Sequence, residues 1–211
     1  MTPQIVHLAV YNTLADWEVG AATAHINNGN WHREPGRYRI RTVGASTEPV
    51  TTMGGMRIVP DLTLAEVSPA DSAMLILPGA EGWDSGELTD FAGKAREFST
   101  AGVPVAAICG ATFGLAAAGL LDDREHTSNV AEYLAASGYS GGDHYREELA
   151  VTDRGVITAN STAPFEFARE VLAALDIYEP AVLDGWYRLF GRNDPAGYAA
   201  LAEYEARQAT A

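Results

Sequence analysis

Short, almost wholly apolar runs alternate along this chain with longer stretches whose apolar residues recur every three or four positions. Gln4 to Tyr11 (QIVHLAVY) reads as a buried strand that stops at Asn12. Asp16 to Asn27 (DWEVGAATAHIN) has helical spacing, with Asp16 near its start. Tyr38 to Val43 alternates, as a strand exposed on one face does. Met56 to Leu64 (MRIVPDLTL) predicts a short strand broken by Pro60, and Ala73 to Leu77 (AMLIL) a strand stopped by Pro78 and Gly79. Glu87 to Ala101 is a predicted helix with Leu88, Phe91, Ala95 and Phe98 on one face. Val103 to Cys109 (VPVAAIC) is a further buried strand and Gly110 to Leu121 a helix of small residues. Ala131 to Ala136 continues helically. Leu149 to Asp153 and Val156 to Ala159 flank Arg154-Gly155, the signature of a hairpin. Ala163 to Leu175 is helical, and the Trp/Tyr-rich tail ends in a helix over Pro195 to Gln208.

Strands alternating with helices predict an α/β sandwich around a mostly parallel sheet. The 211 residues contain no internal repeat, low-complexity segment or linker. The expectation is one domain over 1–211, with 182–211 a helical extension packed on it. Apolar residues make up 47% of the chain, enough for a continuous core without a disulfide or metal staple.

Charge narrows the partners. A formal net charge of −14, with no run of Lys and Arg, argues against nucleic acid and anionic membranes. No apolar stretch approaches the length of a membrane helix. The opening MTPQIVHLAV lacks the basic start and the long apolar run of a signal peptide. These features, with a single cysteine, fit a reducing cytoplasm.

That cysteine, Cys109, stands where a strand is predicted to turn into a helix. Ligands of open parallel sheets sit at the carboxyl ends of strands. A side chain at such a corner also faces free N–H groups of the helix N-terminus, which stabilise a thiolate or a developing oxyanion. This position predicts a thiol pKa below the free value. The context alone equally allows a buried structural cysteine. No GxxxxGK[ST], GxGxxG or metal-ligand spacing occurs, so no cofactor or metal is expected.

The run AAICGATFGLAAAGLLDD, Ala106 to Asp123, resembles the nucleophile elbow of the DJ-1/PfpI (ThiJ/PfpI) superfamily, within the class I glutamine amidotransferase-like fold. Three further stretches fit in order: LADWEVGAATAHI (Leu14 to Ile26), VPDLTL (Val59 to Leu64) and LILPGAEG (Leu75 to Gly82). The resemblance spans Gln4 to about Leu175. It implies a flavodoxin-like three-layer α/β/α sandwich and a homodimer. It makes Cys109 the nucleophile and Glu18 its acid, with Asp16 as the alternative acid or a helix cap. The N–H groups of Ala80, after Pro78-Gly79, and of Gly110 would form the oxyanion hole. Alanine stands at 80 where the family more often has a second glycine.

The resemblance thins at the third position. Family members often carry a His in a Thr-Thr-His-Pro run; here HTSNV aligns Asn129 with it and leaves His126 displaced. Asn129 can orient or bind but cannot act as a base, so a full Cys-His-acid triad is not supported. The Cys-Thr elbow of isocyanide hydratase-like members is also absent. His126 reads as a packing or surface residue. Trp31, His32 and Arg33 read as a surface loop, Glu81 and Asp84 as solvated acids, and His25 as a helix residue. His144 and Tyr145 lie in a stretch without a clear pattern. Trp186, Tyr187, Phe190 and Tyr198 read as helix packing or an oligomer contact.

Two functional classes follow. One is a cysteine-dependent enzyme acting on a small amide, nitrile-like compound or 2-oxoaldehyde. The other is a redox-responsive stress protein whose Cys109 is oxidised to sulfenic or sulfinic acid, with no second cysteine to resolve it. A noncatalytic binding fold is a third reading.

Overall fold

The structure is a computed structural model and describes residues 2–210. Seven strands form the central sheet: β1 (Gln4–Ala9), β2 (Tyr38–Gly44), β5 (Leu62–Thr63), β6 (Met74–Leu77), β7 (Val105–Ile108), β8 (Ala150–Asp153) and β9 (Val156–Ala159). Their order is β5-β2-β1-β6-β7-β9-β8, all parallel except β8, which pairs antiparallel with β9. The four residues of β6, of β7 and of β9 are buried throughout, as parallel strands covered on both faces must be.

The helices are α1 (Asp16–Asn27), α2 (Thr89–Thr100), α3 (Gly110–Ala117), α4 (Ala131–Ala135), α5 (Pro164–Ala174), α6 (Pro180–Gly191) and α7 (Gly197–Gln208). The chain passes from β1 through α1 toward one edge of the sheet and from β6 through α2 toward the other. Right-handed crossovers therefore put α1 and α2 on opposite faces. The contacts agree: α1 packs on α5, α5 on α6 and α6 on α7, while α2 packs on α3 and α3 on α4.

Several predicted elements differ in extent. The Met56–Leu64 strand is two pieces: β4 (Arg57–Ile58) pairs with β3 (Val50–Thr51) in a separate antiparallel hairpin, and β5 joins the sheet edge. Pro60 separates them, because it has no N–H to continue a ladder. The helix predicted from Glu87 begins at Thr89, and α3 stops at Ala117 rather than Leu121. Gly119 follows with φ +74, the left-handed turn that ends such helices. The hairpin at Arg154-Gly155 is confirmed, with φ 45 and 79 at the two turn residues. Helix α6 falls within the helical extension expected over 182–211 but begins two residues earlier, at Pro180.

The loop Trp31–Arg33 is not a plain surface loop. His32 is buried, and Trp31 stacks on His25 and donates to Glu205 of α7 at 2.7 Å. His25 sits in an aromatic cluster with Tyr178, Trp186 and Phe190. Trp186 and Tyr187 are buried packing residues, while Phe190 and Tyr198 are exposed. These C-terminal contacts lie on the α1–α5 side.

Candidate active site

The strand β7 ends at Ile108 and α3 begins at Gly110, which leaves Cys109 as the corner residue. Its backbone takes φ 59 and ψ −127, a conformation rare for a residue with a side chain. Surrounding bonds hold it there. Cys109 N donates to the Ala159 carbonyl at 3.0 Å, and its own carbonyl accepts from Thr112 N at 3.1 Å and Thr112 Oγ1 at 2.6 Å. Ser128 Oγ adjoins the Thr112 hydroxyl at 2.7 Å. The small residues behind the elbow make room for a neighbour: a Cβ at Gly114 would fall 2.2 Å from the Trp83 ring.

Trp83 in turn fixes the facing loop. Its Nε1 donates to the Pro78 carbonyl at 3.0 Å, and the Tyr11 hydroxyl donates to the same oxygen. Gly79 is thereby pressed against the elbow. A Cβ on it would stand 2.8 Å from the Cys109 Cβ, 2.9 Å from Sγ and 2.9 Å from Glu18 Oε1.

Glu18, on the first turn of α1, is fully buried. Its Oε2 accepts from Gly79 N at 2.6 Å, while Oε1 has no hydrogen-bond partner and lies beside Gly79 on the side of the sulfur. Burial pushes the carboxyl up from 4.5 to about 7, against the opposing effects of the Gly79 N–H and the thiol. The Cys109 thiol is also pushed up, to about 11, by burial and then by the Glu18 carboxylate. Asn129 and the Gly110 N–H pull it the other way. The thiol pKa is thus above the free value, contrary to the expectation from the helix N-terminus. Desolvation and a facing carboxylate outweigh one favourable N–H and one amide. The charge on either group raises the proton affinity of the other, so the two titrate as a pair.

The third position is Asn129. Its Nδ2 donates to Cys109 Sγ at 3.5 Å, and its Oδ1 accepts from Ser161 N at 2.9 Å. His126 is buried with both ring nitrogens engaged, Nδ1 with the Arg124 carbonyl at 2.8 Å and Nε2 with the Tyr139 hydroxyl at 3.0 Å. It also packs against Tyr145, next to His144. His126 is therefore a packing residue with no ring nitrogen free for the sulfur. Asp16 is not the helix cap; that position is Ala15, which makes no side-chain cap bond. Asp16 Oδ2 instead accepts from Gly54 N at 2.6 Å and ties α1 to the β3–β4 hairpin.

The expected oxyanion-hole residues Ala80 and Gly110 are neighbours: a Cβ on Gly110 would stand 3.1 Å from the Ala80 carbonyl oxygen. Gly110 N–H favours the thiolate, and Ala80 N donates to no group among the described residues. Asp84 accepts from the Tyr133 hydroxyl at 2.7 Å and is not simply solvated; Glu81 is exposed, with its N–H on Thr13 Oγ1. Cys109 is half-buried. A cavity of about 500 Å³ lies beside the site, walled by Tyr11, Thr13, Glu81 and Phe91, and does not reach the sulfur. No cluster of metal-ligating side chains occurs among the described residues.

Sequence reasoning missed the residues that brace this arrangement: Tyr11, Trp83, Ser161 and Trp17. Tyr11, Trp17 and Ser161 act across long stretches of chain, on Pro78, Ser161 and Asn129, so no local pattern announces them, and Trp83 bonds Pro78 nearby but packs on the distant Gly114.

An elbow cysteine at the carboxyl end of a central parallel strand, faced by a buried acid from the first helix, defines a flavodoxin-like α/β protein of the ThiJ/PfpI kind. The DJ-1/PfpI family model matches residues 4–174, and the chain belongs to that family. It is 38% identical over 192 residues to a Bacillus subtilis protein named "Uncharacterized protease YoaZ", covering 90% of this chain and 91% of the relative. It is 27% identical over 143 residues to a Caenorhabditis elegans protein named "Glutathione-independent glyoxalase DJR-1.2", covering 67% of this chain and 75% of the relative. Among solved structures, a ThiJ/PfpI family protein from Bacillus anthracis superposes with a TM-score of 0.89 at 38% identity, covering 97% of this chain and 98% of that one. No helix among the described residues is long and apolar enough to cross a membrane.

Proposed function

We propose that the protein is a cofactor-independent enzyme in which Cys109 adds to the carbonyl carbon of a small aldehyde, with Glu18 as the proton carrier. One observation carries this reading: Glu18 Oε1 is buried, unpartnered and on the sulfur side of Gly79. A carboxyl near pKa 7 is matched to taking and returning a proton at neutral pH. As the Sγ–C bond forms, the thiol proton moves to Glu18 and the carbonyl oxygen becomes an alkoxide. The N–H groups of Ala80 and Gly110 would receive that oxygen, and Glu18 returns the proton to it, leaving a neutral hemithioacetal.

For a 2-oxoaldehyde the same carboxyl can then take the C1 proton as O2 is protonated, giving an enediol, and return a proton to C2 as the O1 proton leaves, which converts the hemithioacetal to a thioester. Water releases the resulting thioester as a 2-hydroxy acid. The sum is substrate plus water, with no external oxidant or reductant. The glyoxalase-named relative fits this chemistry. Peptide hydrolysis fits less well, because Asn129 stands at the third position and His126 has no ring nitrogen free to activate water.

A second reading has an observation of its own. Asn129 Nδ2 and the Gly110 N–H both favour negative charge on the sulfur, the charge an oxidised Cys109 sulfinate would bear.

The test compares wild type with Glu18→Gln, which keeps an oxygen for Gly79 N–H. Methylglyoxal turnover is followed by product formation, and Cys109 alkylation by intact mass. The enzyme reading expects wild-type turnover, and in Glu18→Gln turnover lost by about 10²-fold or more while alkylation persists. Absence of wild-type turnover across small aldehydes, with clean conversion to sulfinate by peroxide, would favour the second reading.

A further inference from the structure

Trp17 is exposed, at 51%, on the first turn of α1, beside the buried Glu18. About half of its surface stays in water, and it is not one of the residues of the hydrophobic core. Its indole N–H, however, donates to the Ser161 carbonyl at 3.0 Å, across 144 residues of sequence. Ser161 N–H donates to Asn129 Oδ1 at 2.9 Å. A backbone N–H can only donate, so the amide oxygen of Asn129 must face Ser161 and its NH₂ must face the sulfur. Asn160 Nδ2 holds the Asn129 carbonyl at 3.2 Å, while Asn160 Oδ1 accepts from Thr162 N and Oγ1, both at 2.9 Å. The 160–162 loop is thus braced internally and leaves the Ser161 carbonyl turned outward to Trp17.

We propose that Trp17 is a positioning residue, which through Ser161 and Asn129 presents a fixed N–H donor to Cys109 Sγ and so sets the reactivity of the thiol. Trp17 makes no bond to the sulfur; it acts by holding the Ser161 carbonyl, one peptide group beyond the Ser161 N–H that selects the orientation of the Asn129 amide. The arrangement links the helix that carries the acid to the loop that carries the amide, so the two groups facing the sulfur keep one register. The inference rests on the reading of Cys109 as the reactive group. The other titratable groups near the sulfur are Glu18 from α1, Tyr11 at the end of β1, and Tyr133 from α4 with its partner Asp84. All of them remain in the variants below.

The experiment is the alkylation rate of Cys109 by iodoacetamide against pH, read by intact mass, in wild type, Trp17→Phe, Asn129→Ala and the double variant. Because the chain has one cysteine, every adduct reports on it. Phe keeps an aromatic ring at position 17 and removes the indole N–H together with the five-membered ring that carries it. A hydrogen bond to a charged sulfur is worth about one pH unit of thiol acidity. Asn129→Ala is therefore expected to slow alkylation at pH 7.5 about tenfold, and Trp17→Phe about threefold in the same direction. The double variant should match Asn129→Ala alone, because Trp17 acts through Asn129. Thermal midpoints of Trp17→Phe and wild type should agree.

A Trp17→Phe profile that superimposes on wild type overturns the inference while leaving the reactive cysteine intact. So does an effect that adds fully to that of Asn129→Ala, or a lowered thermal midpoint with unchanged alkylation. A wild-type Cys109 that reacts only after denaturation overturns both this inference and the proposed function.

Discussion

Gly79 lies so close to Cys109 that a methyl group on it would fall 2.9 Å from the sulfur and 2.8 Å from the Cys109 Cβ. It would also stand 2.9 Å from Glu18 Oε1, so the same carbon would push against the thiol and its acid together. No glycine-only backbone angle is involved; the requirement is space.

Gly79→Ala is therefore expected to separate Cys109 from Glu18 and to strain the elbow. Overpacking of this kind costs about 1–3 kcal/mol, which for a chain of this size lowers the thermal midpoint by roughly 3–10 °C. Turnover should fall far more than stability does. Calorimetry beside an aldehyde assay checks this; a variant with wild-type turnover would show that the Gly79 contact is slack.

Glu18 makes stability depend on pH in the direction opposite to most carboxylates. Its folded pKa, about 7, is above the ordinary 4.5, so the native protein holds a proton that the unfolded chain has released between these values. Stability from this group is complete below about 4.5 and is lost as pH rises through 7. Glu18→Gln removes the dependence. The variant's stability should gain on that of wild type between pH 5 and pH 8 by an amount on the order of 2–3 kcal/mol, read from thermal midpoints at the two pH values. A constant difference across that range would place the Glu18 pKa near its ordinary value.

His25 acts in the opposite sense, far from the sulfur. Trp186 Nε1 donates to its Nε2 at 3.0 Å, so the neutral ring carries its proton on Nδ1, toward the Tyr178 hydroxyl at 2.9 Å. Burial, then nearby His32, lowers its pKa from 6.5 to about 4. Stability from this group is present above about 6.5 and is lost as pH falls to about 4. His25→Gln keeps an acceptor for Trp186 but does not titrate. Between pH 7 and pH 5, wild type should lose about 5 °C more in thermal midpoint than this variant. His7, also lowered to about 4, remains in both proteins and cancels in the comparison.

Much of the frame was legible in the residues. The apolar runs Ala73 to Leu77 and Val103 to Cys109 read as strands, which β6 and β7 are, and Arg154-Gly155 announced a hairpin whose two turn residues both have positive φ. Cys109 before a run of small residues marked the strand-to-helix corner, because only small side chains let Trp83 pack against α3. Asn129 could be aligned as the third group and His126 set aside. What misled was local inference about environment. Asp16 had the position and chemistry of a helix cap but bonds a distant hairpin. The helix N-terminus predicted an acidic thiol, and the buried carboxyl facing it raises that thiol instead. The polar Trp31–Arg33 segment had the composition of a free loop, yet its residues are bound by α7 and Asp176.

The sequence by itself determined the order of strands and helices, the corner at Cys109 and the kinds of side chain available to it, because periodicity and turn chemistry are local properties. Only the tertiary structure decided the depth of Glu18, the direction of the Asn129 amide and the engagement of His126. Those depend on partners 61, 32 and 13 residues away along the chain, and proton affinity is set by how fully such partners exclude water and which donors they aim.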